Sequence, residues 1–380
     1  SLASRTTTRP GGGAAASKRP VGSSLASRTT TRPGGGAAAS SMTLIPGDGK
    51  YGDESIDNLK PTFGHREDRK KLVVRYSEMG KLLDTDLSEL ITRAKTHYPH
   101  YWRDIGATVR IPYFTKLLSS GLGGIPSQVM TIERHRFDKS KYMGLQKLLF
   151  KFNSSNFDLT TGYFDLSQAV GPNEAISDFA NRYLGGNYLG GGLVQEELMF
   201  HKTPILFLTQ LDQYIKGTPI TLPGYDSIVI KGAIQLWDIN MYSKFDLKNW
   251  YSRTKLLPAP IGPSNIVAFD ALNLKHTKGD DGLSLKGGKK NLYLKREVIW
   301  HIIKYYNTFN GAFESGIRIL HSGSVGAGVF GHSHAASFLM QMFALCLVNI
   351  KNKRTREALT LILHTDPDGK PAKAEQEIGF

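Results

Sequence analysis

The stretch that most limits what this chain can fold into is residues 176–200, ISDFANRYLGGNYLGGGLVQEELMF. Five glycines (185, 186, 190, 191 and 192) separate an Asp-Phe-Ala-Asn from a Gln-Glu-Glu. A backbone this rich in glycine can approach a ligand closely and turn through positive φ. Where such a loop runs into a helix start, its peptide N–H groups suit a phosphate or diphosphate. The helix expected to follow carries Gln195, Glu196 and Glu197 in its first turn, so a carboxyl group stands beside an anion-holding loop. Two plainer readings compete. Glycine-rich loops are commonly flexible turns, and paired glutamates at a helix start are commonly solvated residues favoured by the helix dipole.

The rest of the chain must supply the scaffold. Its 380 residues can bury one large core or two modest ones. No apolar run approaches the roughly 20 residues needed to span a bilayer. The lone Cys346, in the apolar run 338–350, reads as a core thiol. A chain without disulfides fits a reducing compartment, and an intracellular location, nuclear or cytoplasmic, is the expectation. The formal charge is +15, of which Arg5, Arg9, Lys18, Arg19, Arg28 and Arg32 supply six within an acid-free arm. Such a balance suits an acidic partner, whether nucleic acid, another polyanion or an acidic protein assembly, although solubility alone also accounts for it.

That arm, residues 1–41, contains SLASRTTTRPGGGAAAS twice, at 1–17 and 24–40. Its composition cannot bury a core, and its glycines and prolines spoil the amphipathic helix of a transit peptide. Residues 42–139 read as an accessory extension, mainly helical or irregular. Within it, 43–85 is an extended lead-in, a capped helix starts near Thr85, and 108–118 and 125–132 are short and irregular. Residues 144–152 (GLQKLLFKF) read as an amphipathic helix. From 140 to 370 the pattern is that of one α/β domain. It predicts a helix or strand edge over 176–184 and a helix over 193–211 broken near Pro204. Strands are expected at 227–231, 265–272, 317–321 and 359–364, and helices at 292–307 and 335–350. Strand 265–272 is apolar throughout and so is expected to be buried on both faces. The fold class is therefore α/β, a mixed sheet sandwiched by helices.

A second glycine loop, Gly323–Gly331, follows a strand and precedes a helix, and Gly326, Gly328 and Gly331 make a formal G-x-G-x-x-G. A dinucleotide-binding reading fails on two counts. The acid expected about 20 residues on is replaced by Asn349-Ile350-Lys351-Asn352, and the loop lies far from the domain's start. His332 and His334 form an H-x-H without further ligands, a helix-start feature rather than a metal site. The four tryptophans, 102, 237, 250 and 300, read as packing.

Taken jointly, these motifs resemble the poly(ADP-ribose) glycohydrolases, the macrodomain enzymes that degrade poly(ADP-ribose). The family pattern runs Asp-Phe-Ala-Asn, a glycine triplet, then Gly-(small)-Val-Gln-Glu-Glu. Here that is Asp178 to Asn181, Gly185-Gly186-Asn187, then Gly192 to Glu197, with no gap; Asn187 stands for the third glycine. The second loop resembles the family's Gly-Asn-Trp-Gly-Cys-Gly-Ala-Phe-Gly, keeping four glycines and Phe330, with Ser324 and Val325 in place of Asn and Trp. The strands at 228–232 and 266–272 match family strands, and continuing from the first places Tyr242 on the adenine-stacking tyrosine.

The resemblance implies a hydrolase that cleaves ribose–ribose O-glycosidic bonds and needs no metal or cofactor. Glu197 would be the general acid/base and Glu196 would position the ribose. Most glycosidases flank the bond with two carboxylates, but neighbours on a helix point about 100° apart and cannot do so. Asp178 and Asn181 would contact the ribose, and Gln195 would join them in the ligand site. Gly185, Gly186, Gly326 and Gly328 would line the diphosphate, with Tyr242 and Phe330 against adenine and ribose. Partners would be poly(ADP-ribose) or ADP-ribosylated proteins, with no membrane. The substitutions at 187, 324 and 325 leave a second reading, a non-catalytic ADP-ribose reader or a structural subunit anchored by the basic arm.

Overall fold

A strand with no polar face has to lie between two apolar layers, and the sheet is built around two of them. The structure is a computed structural model that describes residues 71–82, 85–97, 128–137, 157–161, 171–180, 183–186, 188, 195–222, 224–239, 254–271, 295–327, 330, 332–352 and 358–365. Strands β5 (Ser227–Ile239) and β6 (Thr254–Asp270) pair antiparallel at the centre of the sheet. Successive side chains point to opposite faces. Ile228, Ile230, Ile266 and Ala268 therefore join one core, while Val229, Val267 and Phe269 join the other.

Six further strands complete the sheet: β1 (Lys71–Arg75), β2 (Val129–His135), β3 (Phe157–Thr161), β4 (Glu174–Ala180), β7 (Ile319–Ser322) and β8 (Thr360–Thr365). The order is β1-β2-β5-β6-β4-β7-β8-β3. The first four are antiparallel neighbours, and from β6 onward every pairing is parallel. One face is covered by α1 (Tyr76–Lys81), α2 (Leu87–His97), α3 (Gln195–Lys202) and α4 (Pro204–Ile215). The other carries α5 (Lys295–Glu314) and α6 (His334–Lys351). This is the α/β sandwich expected from the sequence.

The break between α3 and α4 has the predicted cause. Thr203 N closes α3 on Met199 O at 2.9 Å, and Pro204, which has no N–H to offer, opens α4 at its first position. Ser333 caps α6, accepting from Ala336 N at 3.4 Å. Among the described residues α6 is the one helix long and apolar enough to cross a membrane, but 56% of it is buried inside the protein, largely against α5.

Several local readings are corrected. Residues 174–180 form a strand throughout, not a helix or strand edge, because the parallel ladders with β6 and β7 hold it extended. Within the accessory extension α1 and α2 are the helical part expected, α2 following a cap in which Ser88 N donates to Asp86 Oδ1 at 2.7 Å, but the run expected to be irregular at 125–132 enters a strand at Val129. Val129–His135 is a full strand whose Met130 and Ile132 face the core, and Lys71–Arg75 pairs with it. Both runs are mixed in polarity and acquire strand geometry from pairing, Val129–His135 on β5 and Lys71–Arg75 on Val129–His135 in turn. The sheet therefore runs on across residue 139, the expected domain boundary. A bulge in β5 falls at Gly232 (φ +84°), where any Cβ would meet Val129 O at 2.5 Å. The helix expected at 144–152, residues 108–118, Trp102, Trp250 and the 1–41 arm lie outside the described residues.

Candidate active site

Strand β4 keeps its ladder with β7 only over Glu174–Ile176. Beyond it the strand's next backbone groups need other partners, since an unpaired buried amide costs about 1–3 kcal/mol. Gln195, the first residue of α3, supplies them. Its Nε2 donates to Ser177 O at 2.7 Å and its Oε1 accepts from Phe179 N at 3.0 Å. The Gln195 amide is thus engaged with the strand, and it pins the start of α3 beside Asp178. Glu196 and Glu197 follow in that first turn, 1% and 3% exposed.

Asp178 is fully buried and shares a strand face with Ile176 and Ala180, and among the described residues neither carboxyl oxygen has a hydrogen-bond partner. Burial first, and then the neighbouring Glu197 carboxylate, push its pKa from 3.8 up to about 8. At neutral pH this acid holds a proton. Its folded pKa lies above its unfolded one, so folding takes up a proton between them. The associated stability is complete below the unfolded value and is lost as pH rises through the folded one. Asp178→Asn, which is neutral throughout, is therefore expected to match the wild type near pH 4 and to gain on it steadily up to about pH 8. Urea midpoints taken across that range test this, and a pH-independent difference would count against it.

The first glycine loop is fastened to the same carboxyl groups. Gly185 N donates to Glu196 Oε1 at 2.6 Å, and a Cβ at Gly185 (φ +92°) would lie 2.7 Å from the Phe200 ring. Gly186 (φ +54°) sits over both acids: a Cβ there would collide with Glu196 Oε2 and lie 2.7 Å from Glu197 Oε1. Gly186→Ala combines backbone strain with this clash, and a destabilisation of about 1–3 kcal/mol is expected from urea denaturation. Farther on, Tyr188 Oη meets His201 Nδ1 at 3.1 Å, tying the loop to the end of α3.

Because β4 and β7 are adjacent and parallel, the loops that follow them leave the same end of the sheet. Ligands of open α/β sheets bind there, in the crevice outside the strands' carboxyl ends. The second loop turns at Gly326 (φ +75°), where a Cβ would lie 2.6 Å from the His332 ring. His332 in turn stacks edge-on against His301 of α5, ring centres 4.7 Å apart. Ser324 Oγ contacts His334 Nδ1 at 2.7 Å, and Val325 is buried in the second core. Phe330 is half-buried against that core.

Of the residues singled out in the sequence, Asp178, Gln195, Glu196, Glu197, Gly185 and Gly186 meet around the end of β4, while Gly326 and Phe330 belong to the neighbouring loop. Asn181, Tyr242 and Gly328 lie outside the described residues, as does Asn187. Sequence reasoning passed over two polar residues of α6, Ser337 and Gln341, which bind the second loop. Their signal was present as hydrophilic breaks in an apolar helix.

Residues 163–354 match the family described as poly(ADP-ribose) glycohydrolase (PARG), Macro domain fold. The chain is similar to the Thermomonospora curvata poly(ADP-ribose) glycohydrolase bound to the inhibitor ADP-HPD, at 16% identity over 73% of this chain and 98% of that one, TM-score 0.44. A variant of the Deinococcus radiodurans enzyme in complex with ADP-ribose gives 16%, 65%, 94% and 0.39. An Oceanobacillus iheyensis macrodomain variant with ADPR gives 12%, 60%, 94% and 0.37. No curated protein matches the chain. The family match takes in β4, both glycine loops and the Gln-Glu-Glu turn between them, and the chain belongs to the poly(ADP-ribose) glycohydrolase family with the macrodomain fold.

Proposed function

We propose that this chain hydrolyses poly(ADP-ribose), releasing ADP-ribose, with Glu197 as general acid/base. One observation carries the reading: three buried carboxyl groups, Asp178, Glu196 and Glu197, converge where a glycine loop meets a helix start, and Asp178 has no hydrogen-bond partner among the described residues. Buried carboxyl groups are costly unless something binds them, and such clusters occur where acid–base chemistry is done. Glu197, in its acid form in the reacting complex, gives its proton to the leaving ribose oxygen as the C1–O bond breaks, leaving an oxocarbenium-like ribose. The resulting carboxylate then takes a proton from the water that adds to C1. Glu196 holds the first loop through Gly185 N and orients the ribose hydroxyls. Asp178, protonated at neutral pH, donates a hydrogen bond to the ligand. Gly185, Gly186, Gly326 and Gly328 border the diphosphate, with Asn181, Tyr242 and Phe330 around ribose and adenine.

The second reading is an ADP-ribose reader without turnover. It is favoured by the second loop, where Ser324 is occupied by His334 and Val325 is buried, so neither side chain is turned to a ligand. The basic arm would then hold an acidic partner, in the nucleus or cytoplasm. Incubation with purified poly(ADP-ribose), scored for released ADP-ribose, separates the two. Turnover supports the hydrolase. Binding of ADP-ribose without turnover supports the reader. Neither turnover nor binding would overturn both.

A further inference from the structure

An amide or hydroxyl buried in an apolar helix is costly unless satisfied, and α6 carries two, Ser337 and Gln341, one turn apart on one face. Both are fully buried. Neither is needed by the helix, and both reach back to the second glycine loop. Gln341 Nε2 donates to Gly323 O at 2.8 Å, while Gln341 Oε1 accepts from Ser322 Oγ at 2.8 Å. The same Nε2 lies 3.4 Å from Ser337 Oγ, which donates to Val325 O at 3.1 Å. Within the loop, Ala327 N donates to Ser324 O at 3.0 Å and His332 N to Gly326 O at 3.1 Å. Four successive carbonyls, 323 to 326, therefore each hold a donor.

Carbonyl oxygens are the part of a glycine loop that repels an anion, and its N–H groups are the part that attracts one. A loop free to flip its peptides would present either. We propose that Ser337 and Gln341 are positioning residues of the phosphate-binding loop, locking its Gly323 and Val325 carbonyls toward α6 so that it is set for the diphosphate of ADP-ribose before the ligand arrives. The inference rests on the reading of the site given above and adds the residues that preorganise it. Preorganisation raises affinity by removing an ordering cost at binding.

The test uses the full chain and two probes: ADP-ribose, and adenosine, which has no phosphate. Gln341→Leu keeps the bulk and removes the amide's three hydrogen bonds, Ser337→Ala removes the hydroxyl's two, and Ser337→Thr keeps the hydroxyl. Titration calorimetry, with competition where binding is weak, is expected to give Kd values for ADP-ribose raised about tenfold by Gln341→Leu and somewhat less by Ser337→Ala. Adenosine affinity should stay unchanged in all three, and Ser337→Thr should bind ADP-ribose like the wild type. A role confined to stability would lower the melting temperature and leave the folded protein's affinity alone. Wild-type ADP-ribose affinity in the folded Leu and Ala variants would overturn the inference while leaving the site intact. Equal losses for both probes would overturn it too, since the residues would then support the pocket as a whole. A wild type that binds no ADP-ribose would remove the site reading itself. If Gln341→Leu does not fold, Ser337→Ala and Ser337→Thr decide.

Discussion

Glu197→Gln should lower the release of ADP-ribose from poly(ADP-ribose) by about 10²–10⁴-fold while leaving ADP-ribose binding within a few-fold of the wild type. The amide keeps the shape of the side chain beneath Gly186, where a Cβ on the glycine would lie 2.7 Å from Glu197 Oε1. What it loses is the ability to give up a proton and take one back. The neighbouring carboxyl groups cannot replace it. Glu196 Oε1 is held by Gly185 N, and Asp178 belongs to the strand rather than the helix. Single-turnover assays beside equilibrium binding separate the two effects. Full activity in Glu197→Gln would assign the chemistry to another group, and lost binding would make Glu197 a ligand-holding residue instead.

The second large effect is on folding. Lys304 of α5 is fully buried, yet its ammonium has a complete set of acceptors. It donates to Gly224 O at 3.0 Å and Asp226 O at 2.5 Å, and it pairs with the Asp270 carboxylate at the end of β6. One turn on, Asn307 Nδ2 binds His135 O and Tyr225 O, each at 2.9 Å. Together they bolt α5 to the turn that opens β5. Lys304→Met retains most of the stem and deletes the charge, leaving two carbonyls and a carboxylate without their shared ammonium. A loss of about 3–5 kcal/mol is expected, the scale measured when one partner of a buried pair is removed. Denaturant midpoints check it. Adding Asp270→Asn should recover part of the loss, because the carboxylate that loses this ammonium is then neutral too. A loss below about 1 kcal/mol would mean that water replaces the ammonium at little cost.

Much of the site could be read in the sequence because its chemistry is local. The first loop and the Gln-Glu-Glu turn lie within twenty-five residues, and helix periodicity alone places Glu196 and Glu197 in one turn. Apolar β-branched runs likewise announced the buried strands β5 and β6, whose alternate residues feed two cores. The local pattern gave no such guidance for β4, which carries Ser177 and Asp178 among its apolar residues and is a strand because β6 and β7 pair with it. Nor did it reveal β2, which looks irregular alone and is held by the sheet's antiparallel half.

By itself, then, the chain determined its fold class, its helix breaks and the residue types gathered at the site, since these follow from periodicity, proline chemistry and short spacing. Only the tertiary structure decided that Asp178 is buried beside Glu197 with a raised pKa, and that Gln195 is spent on the backbone of β4. It also decided that Lys304, Ser337 and Gln341 are polar anchors rather than surface residues. Burial and partner choice arise between segments far apart in sequence. Hydropathy records how polar a side chain is, and only packing determines whether that polarity faces water, backbone or another charge.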